Sequence, residues 1–423
     1  GRFRFLTGGH CALYEADGSY IIAPADKNNQ TSEGCLQRQI SDGAFHSEEW
    51  GVKSGDASLE IKRFNNRALN DMFRSAIRNN KDVYIDCGAI YIDSSIFIEY
   101  DSNRNPITQI LNIRGCGSVS AFAVEGGGGT RIISDDAPVV HFVKSERFRH
   151  YSRRIQLSNI GIVANTKNYY SSNPALLFDV LSQGGFIHDV DIYQHGRGSG
   201  IVCNDCYLNR FEDITILGST AMNGPPVNRY GVGFLLNVDG HSGGLTAVNR
   251  VTSRGFNWGF QFGHLEEQQG GPLSFRCQQC ETSMNSNGWL IGKNAVATVI
   301  DNSYNDGGLD GTIVYDAGVG TVVRNLNSWS GFRVGIDSSY GGASGSIYEG
   351  NTLRLSGEGA VGIIIAADVA KKFAVNNLIT FSHGDNQVGM RIVGKGKLIE
   401  GLNTNGFYPP KPICRNCATI KIE

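Results

Sequence analysis

The sequence has little proline, little net charge and no long apolar run, and each shortage excludes a class of protein. Proline accounts for 10 of 423 residues, too few for a collagen or a Pro/Gly-rich low-complexity chain. The 38 basic and 40 acidic residues nearly cancel, whereas a nucleic-acid-binding protein needs a basic face to meet phosphates. No apolar run reaches the ~18 residues of a membrane span, so we expect no membrane insertion. The first residues, GRFRFLTGGHC, lack the apolar core of a secretory signal, so we expect a mature, cytosolic or trimmed chain.

Glycine and cysteine are the residues whose abundance needs an explanation. Glycine occupies 55 of 423 positions, about twice its usual share of ~7%. Six of the ten cysteines form three Cys-x-x-Cys pairs, but these pairs lie too far apart for a compact zinc ribbon. The favoured interpretation is thiols that pack as small apolar residues, with disulfides or a zinc site as alternatives. We therefore expect no metal and no cofactor.

A repeat begins near residue 155 and continues to the end of the chain. The pentapeptide SNIGI at 158–162 recurs as HDVDI at 188–192 and EDITI at 212–216, and looser copies follow. The second positions of the ten copies are Asn159, Asp189, Asp213, Arg250, Cys280, Asn302, Asn325, Asn351, Asn377 and Gly401. Most intervals are 22–26 residues, which leaves no room for a helix within most repeats.

A second anchor lies between these copies and consists of Gly or Ala followed by an apolar stretch. Examples are GIVCND at 200, GFLLNV at 233, GFQFGH at 259, GWLIGK at 288 and GTIVYD at 311. Several short strands in a repeat of 22–26 residues predict an all-β fold, a right-handed parallel β-helix of about ten or more coils. The recurring Asn and Asp side chains suit tight bends and, stacked, would form an internal polar ladder.

The N-terminal part of the chain differs from the repeat. We divide the chain into an irregular segment at 1–50 and a β-helix domain at 51–423. Within the second unit, residues 58–79 carry Ile61, Phe64, Leu69, Met72, Phe73 and Ile77 at helical spacing. Because the open end of a solenoid exposes its core, this helix is predicted to be the cap.

The segment from Trp50 to Tyr91 resembles the entry motif of the pectate-lyase-like superfamily of β-helices. The matching residues are Trp50, Gly51, Val52, Gly55, Asp56, Val83, Tyr84, Ile85, Gly88 and Tyr91. Ala57, Ser58 and Leu59 stand where the usual Asp-Asp-Thr would begin the helix. Within the superfamily, the long Gly/Asn/Ser-rich solenoid most resembles bacteriophage tailspike and capsule-depolymerase proteins.

This resemblance implies a function. Proteins of this kind are typically homotrimers that cleave a bacterial surface polysaccharide, such as a capsule, an O-antigen or an exopolysaccharide. It implies a location on the virion tail or outside the cell, with a secreted bacterial enzyme as the alternative. No C-terminal trimerisation module is visible, so we expect that the chain is truncated or ends with its last coil.

The longest departures from the repeat predict the position of the chemistry. The 37-residue interval before Arg250 and the next interval of 30 residues both carry acids and histidines. Alignment on the glycine anchor places Asp316 and the predicted catalytic residues near one edge of the same stacked strand; those residues are Asp205, Asp239, His241, His264, Glu266 and Glu267. Paired carboxylates on neighbouring coils suit a retaining or an inverting glycoside hydrolase.

Sugar-binding residues are predicted in the same region. The Tyr-rich loop NTKNYYSSNP at 165–174 and other aromatic and basic side chains are the candidates, namely Tyr169, Tyr170, Arg229, Tyr230, Lys293 and Trp258. Trp289 and Trp329 are further possible sugar platforms, although core packing is the default for all three tryptophans. A polysaccharide lyase acting by β-elimination on a uronic acid, with His241, His264 or Tyr230 as base, remains an alternative. A non-catalytic carbohydrate-binding spike is the second alternative.

Overall fold

The structure is a computed structural model with no ligand. It describes residues 3–6, 21–22, 35–38, 43–99, 110–117, 128–144, 154–165, 172–181, 183–218, 230–237, 245–265, 274–308, 311–329, 331–340, 345–366, 373–382, 386–393, 404–406 and 420–422. Within these ranges, no helix combines the length and apolarity that a membrane crossing requires.

The first strands of the chain form a small antiparallel sheet, where the sequence predicts an irregular segment. Strands are numbered in chain order, and this sheet contains β1 (Phe3–Leu6), β2 (Ile21–Ile22) and β3 (Cys35–Arg38). The order is β1-β3-β2, with β3 antiparallel to both neighbours.

The rest of the strands stack in parallel as successive coils, each of which visits three sheets in turn. Sheet A has twelve strands, so the described chain makes twelve coils. The strands are β7 (Ile96–Glu99), β10 (Val140–Val143), β12 (Leu176–Phe178), β14 (Ile201–Cys203), β16 (Val232–Leu236), β18 (Trp258–Phe262), β21 (Asn287–Ile291), β24 (Thr312–Asp316), β27 (Val334–Ser338), β30 (Val361–Ala366), β33 (Val388–Val393) and β35 (Ile420–Ile422). The predicted parallel β-helix is confirmed.

The other two sheets, B1 and B2, meet at a bend. Four long strands run through both sheets: β11 (Arg154–Ala164), β13 (Phe186–Gln194), β15 (Arg210–Gly218) and β17 (Thr246–Arg254). Sheet B1 also contains β4 (Ala44–His46), β5 (Asp82–Ile85), β8 (Ile110–Gly115), β19 (Phe275–Gln278), β22 (Val299–Asp301), β25 (Val322–Arg324), β28 (Ile347–Glu349) and β31 (Phe373–Val375). Sheet B2 also contains β6 (Gly88–Ile92), β9 (Thr130–Ser134), β20 (Glu281–Ser283), β23 (Tyr304–Asp306), β26 (Asn327–Ser328), β29 (Thr352–Leu355), β32 (Asn377–Phe381) and β34 (Thr404–Gly406).

The bend between B1 and B2 explains the recurring polar residue of the repeat. In nine of the coils, one residue adopts a left-handed conformation there: Asn159, Asp189, Asp213, Arg250, Gln279, Asn302, Asn325, Gly350 and Asn376. Asn and Asp tolerate this conformation better than most residues. The repeat frame is therefore correct at six coils and displaced by one residue at Cys280, Asn351 and Asn377.

The one-residue displacement distinguishes two kinds of polar residue that the sequence analysis assigned to a single ladder: surface residues at the bend and buried residues one position later. The left-handed residues lie on the surface, as at Asp189 and Asp213. Asn351 and Asn377, one position later, are fully buried. The side-chain amide of Asn351 donates a 2.9 Å hydrogen bond to Asn377 Oδ1, and that of Asn377 donates to the Tyr348 carbonyl at 2.9 Å. The predicted internal ladder is therefore wrong for the bend residues, and Asn351 and Asn377 form an internal polar pair instead.

The core is a single column of apolar side chains inside the coils. Aromatic rings stack along it, with 4.7 Å between the ring centroids of Phe142 and Phe178 and 6.0 Å between those of Phe260 and Trp289. The glycine anchor lies where sheet A approaches sheet B2. A Cβ atom at Gly233 would overlap the Ser253 side chain, so the close approach of these two sheets explains why glycine recurs in the repeat.

Helix α1 (Leu59–Asn79) covers the first coils, as the helical spacing predicts. Its buried face includes Leu69, Met72, Phe73 and Ile77, whereas Phe64 is 44% exposed. Asn65 anchors the helix, because its side chain accepts a 2.8 Å hydrogen bond from the Lys53 backbone N–H and donates one to the Tyr91 carbonyl at 3.0 Å. Strand β4, which lies before residue 51, already pairs with β5.

The cysteines correct the sequence analysis. Disulfides join Cys87 to Cys116, Cys203 to Cys206 and Cys277 to Cys280. The favoured interpretation as free thiols is therefore wrong for these six residues, although the latter four do occupy buried positions. A Cys-x-x-Cys pair at a corner of the coil brings its two Cα atoms to about 6 Å, as the 5.8 Å at Cys203 and Cys206 shows, which is within bridging distance.

Candidate active site on the outer face of sheet B2

The predicted site residues that the structure describes lie at two different edges of sheet A. Trp258 begins β18 and Tyr230 precedes β16, whereas His264 follows the end of β18 and Lys293 follows the end of β21. Strand β18, from Trp258 to Phe262, is about 13 Å long, and His264 lies two residues beyond its end. The structure therefore does not bring these two groups together into one site.

The surroundings of these residues are mostly structural. Asp205 is only 3% exposed. The backbone N–H of His264 donates a 2.8 Å hydrogen bond to Asn294 Oδ1. The ammonium of Lys293 lies 4.6 Å from the Tyr340 ring centroid, and the guanidinium of Arg197 lies 4.1 Å from that of Tyr230.

The remaining predicted residues lie outside the described residues, namely Asp239, His241, Glu266, Glu267, Arg229, Tyr169 and Tyr170.

Asp316 corrects the alignment on the glycine anchor. Gly200, Gly233, Gly259 and Gly288 do align across sheet A, but the next partner is Ile313 rather than Gly311. This two-residue displacement pairs Asp316 with the core residue Ile291, and Asp316 is fully buried. Its carboxylate accepts hydrogen bonds from Thr321 Oγ1 at 2.8 Å, Ser346 Oγ at 2.9 Å and Tyr348 OH at 2.6 Å.

The outer face of sheet B2 carries a different pair of acids, Glu281 and Asp306. Glu281 lies directly opposite Tyr304 on the next coil, and Asp306 is two residues beyond Tyr304. Diagonal neighbours of this kind on adjacent strands lie about 7–8 Å apart. Both acids are accessible, because Glu281 is half-buried and Asp306 is exposed.

The two carboxyl groups have different electrostatic environments. Burial raises the pKa of Glu281, and the negative charge of Asp306 raises it further, while Arg254 and a hydrogen bond with Thr252 act in the opposite direction. Burial and the charges of Asp306 and Glu281 also raise the pKa of Tyr304. An accessible carboxyl group with a raised pKa beside an exposed acid is an arrangement suited to general acid–base catalysis.

Glu281 and Asp306 each belong to a row of side chains that runs along the coils on this face. The ladder pairs place Asp191, Thr215, Thr252, Glu281, Tyr304, Asn327 and Thr352 in one row. The other row contains Tyr193, Arg254 and Asp306, together with Leu217 and Ser283, whose side chains are buried. Trp329 and Arg354 continue it along the next two coils, and Arg354 lies 5.0 Å from the Trp329 ring centroid. Hydroxyl, amide and aromatic groups of this kind suit a sugar chain laid along the coils.

Several charged side chains on sheet B1 and at the bend beside it form ion pairs. Arg210 contacts Glu212 at 2.6 Å, and Arg250 contacts Asp213 at 2.6 Å as well as Glu212. The hydrogen bonds from Arg250 lower the pKa of Asp213. Carboxylates held ionised in this way are poorly suited to donate a proton.

Sequence reasoning missed Glu281 because of the one-residue displacement at the bend. With Cys280 aligned to the left-handed residues, Glu281 takes the position of the core residues Ile160, Val190 and Ile214. Gln279 is the true bend residue, and this moves Glu281 to the outer face. A shift of one residue exchanges the two faces of a strand. The polar residue at an otherwise apolar position was the signal that the frame had slipped.

No protein-family model and no curated protein sequence matches the chain. Among solved structures, it is similar to the A-module of mannuronan C-5 epimerase AlgE6 from Azotobacter vinelandii. The TM-score is 0.56 at 14% identity over 87% of this chain and 100% of the module. The shared feature is the fold, a parallel β-helix.

Two further β-helix structures are similar at lower scores. The enzymatically active domain of tailspike protein 2 from bacteriophage CBA120 has a TM-score of 0.48 and 10% identity, over 92% of this chain and 52% of that chain. DFA-IIIase from Arthrobacter chlorophenolicus A6, in complex with DFA-III, has a TM-score of 0.45 and 10% identity, over 86% of each chain.

Proposed function

We propose that the chain is an endo-acting polysaccharide depolymerase, a glycoside hydrolase whose acid pair is Glu281 and Asp306. The observation that carries the proposal is the raised pKa of Glu281 on an accessible face, one coil away from the exposed carboxylate of Asp306. Their diagonal backbone spacing of about 7–8 Å is compatible with the ~6.5–9.5 Å that separates the carboxyl groups of inverting enzymes.

In this mechanism each acid has one task. Protonated Glu281 donates its proton to the glycosidic oxygen, so that the bond between this oxygen and the anomeric carbon breaks. Asp306 removes a proton from a water molecule, whose oxygen forms the new bond to the anomeric carbon from the opposite side. The products together contain one added water, and the configuration at the anomeric carbon is inverted.

The biological setting is proposed from the resemblance of the entry motif and the solenoid. We infer a bacterial surface polysaccharide as substrate, a place on a phage tail or outside the cell, and a homotrimeric assembly. Mannuronan, named in the epimerase, and the capsular polysaccharide named for the tailspike gp49 of Acinetobacter baumannii bacteriophage Fri1 are polymers on which β-helices act. These names support a polymeric sugar substrate.

The test is digestion of a panel of purified bacterial surface polysaccharides, read by fragment mass, ultraviolet absorbance and NMR of the new reducing end. Fragments that gain one water and invert the anomeric configuration are expected. Fragments with a new double bond and no added water would instead mean a lyase, with His241, His264 and Tyr230 as candidates. Binding without cleavage would mean a carbohydrate-binding spike.

The acid pair is tested against its rivals in the same assay. Glu281→Gln and Asp306→Asn are compared with Asp239→Asn, Glu266→Gln and Glu267→Gln. Asp191→Asn is the matched control, because Asp191 lies in the row of Glu281 three coils away. Loss of activity in the first two variants alone supports the proposal, whereas loss in an insertion variant with Glu281→Gln active would assign the chemistry to the insertions.

A further inference from the structure

Trp329 is the one tryptophan of this chain whose side chain is largely in solvent. It is 49% exposed, whereas Trp50 is 8% exposed, Trp289 is fully buried and Trp258 is half-buried. Exposing an indole gives up the stabilisation that its burial would provide. Trp329 lies beside Asp306 on the next coil, about 4.8 Å along the stack of coils.

Arg354 gives this aromatic surface a positive charge. Its guanidinium lies 5.0 Å from the Trp329 ring centroid. Three arginines on sheet B1 or at the bend beside it are paired, since Arg210, Arg250 and Arg324 each contact a carboxylate at 2.6–2.8 Å. Across the described ranges, no carboxylate lies within ion-pair distance of Arg354. A planar guanidinium of this kind is the donor that binds a carboxylate in a bidentate manner.

We propose that Trp329 and Arg354 form a subsite for an anionic sugar, so that the substrate is an acidic polysaccharide. The indole would contact the sugar ring, and Arg354 would bind a carboxylate such as that of a uronic acid. This inference rests on the proposed function, because it places the subsite beside the acid pair.

The charges on the face also determine where the anionic sugar lies. The carboxylate of Asp306 repels an anion at the point of cleavage, whereas Arg354 is two coils beyond Asp306, about 10 Å away. The anionic unit therefore lies beyond the cleaved bond, and the sugar at the acid pair itself carries no charge or directs its charge towards Arg254. An uncharged polymer would gain from Trp329 but not from Arg354.

The experiment measures binding by the Glu281→Gln variant, in which substrate is not consumed. The probes are polymannuronate, polygalacturonate and hyaluronan, each beside its carboxyl-reduced form, with tryptophan fluorescence and calorimetry as readouts. We expect at least one polyanion to bind and to change the fluorescence, and its reduced form to bind at least tenfold more weakly. Arg354→Met in this background should weaken polyanion binding about tenfold and leave binding of the reduced polymer unchanged. Trp329→Ala should weaken both and abolish the fluorescence change.

Arg74→Met is the matched control, because Arg74 is an exposed arginine on α1 that pairs only with Asp71 at the surface. Circular dichroism confirms that each variant is folded. Equal binding of the native and reduced polymers, no binding of any polyanion, or an unchanged affinity in Arg354→Met would overturn the subsite. If the Glu281→Gln variant still cleaves the depolymerase panel, the acid-pair assignment fails, yet the dependence of binding on Arg354 is judged independently.

Discussion

Sheets B1 and B2 are made from the same coils, yet their outer faces handle charge in opposite ways. On B1 and at the bend beside it, Arg250 contacts Glu212 and Asp213, and Arg324 contacts Asp301 at 2.8 Å. On B2, Glu281 lies near Asp306 and its pKa is raised. Only the left-handed bend residue separates the two faces on each coil.

The difference between the two faces supports the proposed catalytic site on sheet B2. Parallel ladders fix the backbone in the same way on both faces, so the side chains alone decide what each face does. Paired charges on B1 satisfy one another and add little stability, typically 0–1 kcal/mol per exposed pair. Like charges brought together on B2 reduce stability and are therefore more informative about function, because perturbed carboxyl groups concentrate at functional sites.

The largest expected effect is on catalysis. Glu281→Gln and Asp306→Asn should each lower kcat by about 10²–10⁴-fold, since each removes one proton-transfer group. Glu212→Gln on sheet B1 should change kcat less than about twofold, because Glu212 is bound to arginines. Fragment release by the purified variants measures both. A loss of similar size in Glu212→Gln would remove the functional contrast between the two faces.

Asp316 is an acidic residue in a third environment, the interior of the coil, and can be compared with the acids on the two outer faces. Tyr348→Phe removes the 2.6 Å hydrogen bond from the tyrosine hydroxyl to the Asp316 carboxylate. Leaving a buried polar group with one bond fewer should lower the free energy of unfolding by about 1–3 kcal/mol. Denaturant unfolding measures this, and kcat should not change. If Tyr348→Phe lowers the free energy of unfolding by less than the loss of a B1 surface ion pair does, the buried network must rearrange to replace the missing hydroxyl.

The pH dependence of stability should have opposite signs on the two faces. The pKa of Glu281 is raised in the folded protein, so the fold binds its proton more tightly than the unfolded chain does, and stability falls as pH rises through this pKa. Glu281→Gln should therefore raise Tm by about 1–3 °C at neutral pH. The gain should shrink as pH falls through the folded pKa of Glu281 and vanish below the unfolded pKa of glutamate, about 4.3. Thermal melts at a series of pH values measure it, and a Tm gain that persists at low pH would contradict the explanation.

The smallest effect is expected for the B1 pair. The pKa of Asp213 is lowered by Arg250, so its contribution is present at neutral pH and is lost as pH falls through the folded pKa. Because the Asp213 side chain is 43% exposed, Asp213→Asn should lower the free energy of unfolding by at most ~1 kcal/mol. The difference should vanish at acidic pH or at high salt. A loss of several kcal/mol would show that the B1 network is more than a surface feature.

The fold followed from the sequence to a large extent, because the periodicity that specifies it is local. Spaced apolar stretches became sheet A, and Asn159, Asp189, Asp213 and Arg250 became the bend. The spacing of Leu69, Met72, Phe73 and Ile77 indicated the helix that covers the first coils. Each of these patterns depends only on residues within one or two repeats.

The site was largely beyond the sequence, because it depends on register between distant repeats. Glu281 and Asp306 are 25 residues apart in the chain, and they meet only because β20 pairs with β23. Aligning Cys280 with the bend residues gave Glu281 a core position that is wrong by one residue. Aligning Gly311 with the glycine anchor grouped Asp316 with the predicted catalytic residues, although the true register differs by two residues. The amino-acid sequence by itself determined that coils form and where they bend, since strand propensity and left-handed residues act locally. The tertiary structure alone decided which carboxyl groups face solvent together, because a strand exchanges its faces with every residue of register.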